Sequence, residues 1–142
     1  MSRAYNKLPY ITLAMQALAL KQRFPVSNCR LTHHKLVWQG NIQPTPLSRS
    51  YSIRVICRDS FSRPKVVLYG DSILGIERPD FPHHFAIDKE KMEVELCLHM
   101  PYEFKHTQLI ADTIVLWAQE WLYFYEIWLA TGEWRGGGHA LR

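Results

Sequence analysis

Cysteine is scarce in this chain and never paired. Cys29, Cys57 and Cys97 make an odd number with no CxxC doublet, which excludes the disulfide framework of a small secreted scaffold. The start of the chain has no apolar stretch followed by a small-residue cleavage site, so a reducing cytoplasm is the expected compartment. Structural zinc calls for short paired spacings such as CxxC with HxxxH. Neither occurs among the three Cys and seven His, and the local spacing of Cys29 with His33 or His34 falls short of that pattern. No metal or other cofactor is expected. No run of about 18 apolar residues escapes interruption, because Asp112, Gln119, Glu120 and Glu126 break the longest one, so no membrane span is expected. The net charge is +4, yet Lys and Arg are scattered singly. Without a basic stripe or a reading motif, nucleic acid is not an expected partner.

What the chain does have is aromatic mass: five Trp, seven Tyr and six Phe, crowded into the last third. Rings there supply much of the buried area. The length of 142 residues suits a single domain over 1–142, since two smaller cores would each be marginal. Leu8, Ile11, Met15 and Leu18, with Leu13 and Leu20 less regularly, recur at helical spacing from Leu8 to Phe24, and Pro25 stops them. Cys29 to Val37 and Ser50 to Arg58 read as strands. In the second, Tyr51, Ile53, Val55 and Cys57 alternate with Ser52, Arg54, Ile56 and Arg58. Gln39, Gly40, Asn41 and Pro44-Thr45-Pro46 carry turn chemistry between them. A third strand runs from Val66 to Tyr69, and an irregular crossing from Gly70 to Met100 holds an extended piece near Met92 to Leu98. A long helix from Gln108 to about Ala130 follows, with Trp117, Trp121, Tyr125 and Trp128 toward one side and Gly132 as its cap. The expected fold is α+β: an N-terminal helix, a four-stranded antiparallel meander, and C-terminal helices packed on the sheet.

The residue best suited to covalent chemistry is Cys97, in Glu95-Leu96-Cys97-Leu98-His99-Met100-Pro101. A thiol attacks only as thiolate, so it needs a neighbour that takes its proton or a field that lowers its pKa. His83, His84, His99 and His106 are the candidates for that neighbour. Chemistry alone leaves a second reading open, since a Cys between two leucines also serves as a small packing residue. Cys29 and Cys57, in strands, are read as core.

The order of these parts resembles the ubiquitin-conjugating fold: helix, meander, Arg63-Pro64-Lys65-Val66, Phe81-Pro82-His83-His84-Phe85, Leu96-Cys97-Leu98, then helix. In that family a segment like Leu96-Cys97-Leu98 carries the cysteine that accepts the modifier. More specific is the stretch Trp117-Ala118-Gln119-Glu120-Trp121-Leu122, Tyr125-Glu126-Ile127-Trp128-Leu129-Ala130-Thr131-Gly132-Glu133-Trp134 and Gly136-Gly137-Gly138-His139. It resembles the bacterial conjugating-enzyme-like proteins of cyclic-oligonucleotide-based antiphage signalling (CBASS) operons.

The resemblance implies that Cys97 forms a thioester with the C-terminal carboxyl of a partner, a nucleotidyltransferase similar to cyclic GMP-AMP synthase. Delivery of the acyl group by an adenylating enzyme is also implied, and because the chain has no phosphate loop it is expected either to rely on a separate activator or to act without one. Two departures from the eukaryotic pattern bear on mechanism. No Asn stands in the His83-His84-Phe85 stretch, and loss of one oxyanion donor costs about 100- to 1000-fold in rate. His99 stands two residues after the cysteine, where the pattern has Asp. Cys97 is expected at the rim of a shallow groove beside an imidazole from His83, His84 or His99. The tail over 135–142 holds three glycines followed by His139-Ala140-Leu141-Arg142, so it differs from a modifier's diglycine end and reads as a flexible tail or a loop returning toward the site. The rival functions are a non-catalytic module that regulates the same synthase by contact, and a cysteine hydrolase.

Overall fold

The computed structural model describes residues 10–99 and 103–136. It is α+β. Helix α1 (Leu13–Arg23) precedes six strands: β1 (Asn28–Leu31), β2 (Leu36–Ile42), β3 (Tyr51–Cys57), β4 (Lys65–Tyr69), β5 (His84–Asp88) and β6 (Glu93–Leu96). A 3-10 turn (Ile110–Asp112) then leads into helix α2 (Ile114–Thr131). All strand pairs are antiparallel, in the order β1-β2-β3-β4-β6-β5.

Among the described residues the sheet therefore has six strands and not the four expected. The stretch from Cys29 to Val37 is two strands, because Thr32 turns the chain: its N–H and hydroxyl both donate to the Lys35 carbonyl (2.8 and 3.2 Å). Gln39, Gly40 and Asn41 continue β2, where they pair with Arg54, Ile53 and Ser52. The turn lies further on, where Gln43 Nε2 donates to the Ser48 carbonyl (2.6 Å) and the Thr45 and Ser48 hydroxyls meet (2.7 Å). The strand missed in the crossing is β5, half-exposed at a sheet edge, where too few apolar residues alternate to mark it. Nor is the sheet a simple meander. The chain leaves β4, crosses to the far edge as β5, and returns as β6 between them.

Leu36, Trp38 and Ile42 of β2, Ile53, Val55 and Cys57 of β3, and Val94 and Leu96 of β6 turn to one core, as a two-residue period requires. Ile114, Val115, Ala118, Trp121, Leu122, Tyr125 and Trp128 of α2 join it. Of the expected aromatic face, Trp121, Tyr125 and Trp128 are buried and Trp117 is partly buried. Tyr125 also donates its hydroxyl to the Leu74 carbonyl (2.5 Å), and Glu126 accepts from Ser48 (2.7 Å) and Tyr51 (2.8 Å). One α-helix follows the sheet among the described residues. It starts at Ile114 because the preceding residues form the tighter 3-10 turn, and it ends at Gly132, whose left-handed backbone (φ 80) returns its N–H to Trp128.

Helix α1 buries a different face from the one its leucines suggest. Met15 and Leu18 are exposed, while Leu20 and Gln16 are buried. The Leu8 end of the expected helix lies outside the described residues. Gln16 is buried because its amide has two partners: Nε2 donates to the Gln108 carbonyl (2.9 Å), and Oε1 accepts from Ile110 N–H (2.8 Å). This clamp fixes the segment that leads from Cys97 to α2. We predict that Gln16→Leu destabilises the protein by about 1–3 kcal/mol, because it leaves a buried N–H unpaired. Urea denaturation checks this, and an unchanged midpoint would refute the clamp.

Candidate functional site

Cys97 follows directly on β6. Leu96 and Leu98 enter the core cluster and Cys97 does not. The Cys97 N–H donates to the carbonyl of His83 (3.0 Å), the residue before β5. The same carbonyl accepts from Trp121 Nε1 (3.2 Å) on α2. Two strands and the helix thus set the backbone of Cys97. His83 itself lies at φ 30, a region that costs a non-glycine residue about 1–3 kcal/mol and is concentrated at functional sites.

A depression of about 20 Å³ is lined by His83, Cys97, Trp121, Phe124, Trp134 and Gly136. That is room for roughly one water and none for a peptide tail. Cys97 is only 2% exposed, so its expected place at an open rim is corrected: the thiol is covered. After Gly132 the chain turns back, and the Trp134 indole stacks on the His83 ring (centroids 5.0 Å, planes 25° apart). It also meets Trp121 (5.7 Å) and Phe124 (6.1 Å).

Of the three histidines named beside Cys97, His83 lines the depression and His84 and His99 do not. His84 Nδ1 donates to the Phe81 carbonyl (3.1 Å), and its ring stands edge-on to Phe81 (5.5 Å). His99 is buried against Trp117 (5.1 Å) and Phe104 (6.2 Å). His106 packs near Phe104 and Phe61. Among the described residues no group of three or more His, Cys, Asp or Glu is arranged to hold a metal ion. None of their helices is long and apolar enough to cross a membrane.

Burial holds the Cys97 thiol above its ordinary pKa, with the Arg63 charge pulling down and Glu103 and Glu95 pushing up. Cys57, in the core, is pushed up to about 12 by burial. Cys29 is half-buried, against expectation, because β1 is an edge strand with a neighbour on one side only. Three residues near the cysteine were given no site role from the sequence, although each belongs to a segment quoted for the family resemblance: Trp134, Glu120 and Arg63. Trp117, Glu120, Trp121 and Phe124 all line the depression, and their spacing of three, four and seven residues was the available signal. Arg63 lies over the Phe85 ring (4.7 Å), a contact without sequence signature.

A raised thiol pKa means less thiolate at neutral pH. We predict that alkylation of Cys97 by iodoacetamide in the native protein climbs with pH to a midpoint above the free-cysteine value of about 8.5. Rate against pH measures it, and a midpoint below the free value would refute the balance of burial over Arg63.

No curated protein matches the chain. A family model described as the type II CBASS E2 protein matches residues 16–141, a span that takes in all six strands, α2, Cys97 and Trp134. The chain therefore belongs to the type II CBASS E2 protein family.

Proposed function

We propose that the protein is a ubiquitin-conjugating-like cysteine transferase in which Cys97 carries an acyl group as a thioester. Membership of the family ties it to the CBASS antiviral defence machinery. The observation that carries the catalytic reading is the position of Cys97: it is held at the end of β6 beside a conformationally strained His83, outside the core cluster that takes its two neighbours. The six-stranded α+β arrangement is read as a variant of the ubiquitin-conjugating fold over a single domain.

In the proposed reaction a separate activator first adenylates the C-terminal carboxyl of a partner with ATP, releasing pyrophosphate, and the partner is taken here to be a cyclic GMP-AMP synthase-like nucleotidyltransferase. Cys97 Sγ loses its proton and attacks the acyl carbon. The S–C bond forms and AMP leaves. An amine nitrogen then attacks the same carbon, the C–N bond forms, the S–C bond breaks, and the thiolate is reprotonated. His83, lining the depression with Cys97, is assigned the proton transfers, and His84 and His99 positioning roles through Phe81 and Trp117. The Cys97 N–H and Trp121 Nε1–H are both held by the His83 carbonyl. Neither serves the tetrahedral oxyanion unless that carbonyl is released. With no Asn in the loop, slow aminolysis and a long-lived thioester follow.

One observation favours a second reading, a non-catalytic module that regulates the synthase by contact: the thiol is covered and its pKa raised. Variants at Cys97 decide between the two. With partner, activator and ATP supplied, the wild type is expected to give an adduct cleaved by thiol reductant. Cys97→Ser should give an oxyester adduct that resists reductant, and Cys97→Ala none, at a stability cost of about 1 kcal/mol. Intact mass with and without reductant reads all three. The same adduct on wild type and Cys97→Ala would remove Cys97 as nucleophile, and no adduct on any variant would favour the binding module.

A further inference from the structure

A thioester-forming cysteine has to be reached by another protein's chain, yet Cys97 is 2% exposed. What covers it includes a segment of the same chain beyond the last helix, since Trp134 and Gly136 line the depression that Cys97 shares with α2. Three aromatic contacts hold Trp134 there: the stack on His83 and the tilted contacts with Trp121 and Phe124. They come from three places in the fold, the loop before β5 and two successive turns of α2.

The seat also depends on the residue two places on. A Cβ at Gly136 would stand 2.5 Å from Cζ2 and 2.8 Å from Cε2 of the Trp134 indole. Real Cβ atoms do not approach so closely, so the backbone folds over the ring only because residue 136 is glycine. Arg135 ties to Glu133 (2.8 Å) on the outer side, where both are exposed. The closed seat is not fully satisfied. Trp134 Nε1 is buried and has no hydrogen-bond partner among the described residues. A buried donor left unpaired weakens the state that buries it, so this arrangement holds the cover in place without locking it.

We propose that the segment over 133–136 is an autoinhibitory strap, latched by Trp134, and that an acyl donor's tail reaches Cys97 only by displacing it. The inference rests on the transferase reading of Cys97, but opening is measured without any transfer. In the closed state the depression has room for roughly one water. In the open state the extended donor chain that leads to the thiol takes the place of Trp134 against His83, Trp121 and Phe124. The strap then acts as a stand-in for that chain: an apolar ring followed by a glycine, laid against the cysteine. An unoccupied cysteine is protected from stray electrophiles, and access is coupled to the arrival of a partner that competes for the same aromatic face.

The test is the rate at which iodoacetamide labels Cys97 in the full-length protein, read by peptide mass, with Cys57 as internal control. Cys57 is 2% exposed in the core and is labelled only when the core opens. Two variants release the strap by different means. Trp134→Ala removes the latch, and Gly136→Ala leaves the indole but forces the backbone off it. Each should raise Cys97 labelling by about tenfold or more, the effect of losing one or two aromatic contacts, while Cys57 stays protected. Trp134→Phe, which keeps a ring, should lie between wild type and Trp134→Ala. Labelling at the wild-type rate in both alanine variants would overturn the strap, and so would a rise shared by Cys57, which would report core unfolding. Faster labelling together with no adduct in the transfer assay would leave the strap standing and remove the transferase reading, so the two fail separately.

Discussion

The carbonyl of His83 is where the site is tied together. It takes the N–H of Cys97 and the indole N–H of Trp121, so one oxygen joins the loop before β5, the end of β6 and the middle of α2. Both donors belong to groups that are otherwise buried, and each would carry a desolvation penalty without this acceptor. The bonds also explain how His83 is kept at φ 30: such a conformation persists only where its surroundings over-determine it. The same residue offers its ring to Trp134 on the other side. Backbone and side chain of His83 thus do separate jobs, one holding the main chain of Cys97 and the other packing against Trp134.

The route of the chain makes this meeting necessary. If β5 followed β4 as its neighbour, His83 would lie next to β4. Because the chain crosses to the sheet edge and returns as β6, β6 has a partner on each flank and Cys97 emerges from the interior of the sheet. An interior strand is positioned more firmly than an edge one, since its ladder is satisfied on both sides. The crossing over 70–83 is held down by Tyr125 at Leu74 and by Phe81, whose ring lies against Trp121, Tyr125 and Trp128. Beyond the cysteine, Gln16 secures the return to α2 from the opposite end of the sequence.

Two opposed demands meet at Cys97. The proposed acyl transfer calls for exposure and a thiolate, while the arrangement seen gives burial and a raised pKa. The proposed strap would resolve the conflict in time: lifting it would lessen the burial that is the largest cause of the raised pKa and leave Arg63 pulling down against Glu103 and Glu95. Accessibility and reactivity would then change together, through one aromatic contact surface.

The sequence alone was enough for the α+β class, for β3 and β4, for the buried aromatic face of α2 and for its Gly132 cap, because each of these is written in local periodicity or in a residue's backbone preference. It also named Cys97 with His83, His84 and His99 as candidates, through the order of short segments along the chain, without distinguishing the histidine that lines the depression. Tertiary structure alone decided the rest. The edge strand β5 carries too little alternation to announce itself, and the split of Cys29 to Val37 into two strands turns on hydrogen bonds at Thr32 and Lys35. Gln16 is polar and lies buried only because its two partners are more than 90 residues away. Whether Cys97 faces water depends on which segments meet around it, Trp134 among them, 37 positions further along, and no pattern within either segment reports that meeting. Local preference is encoded residue by residue, but burial is a property of which distant surfaces meet.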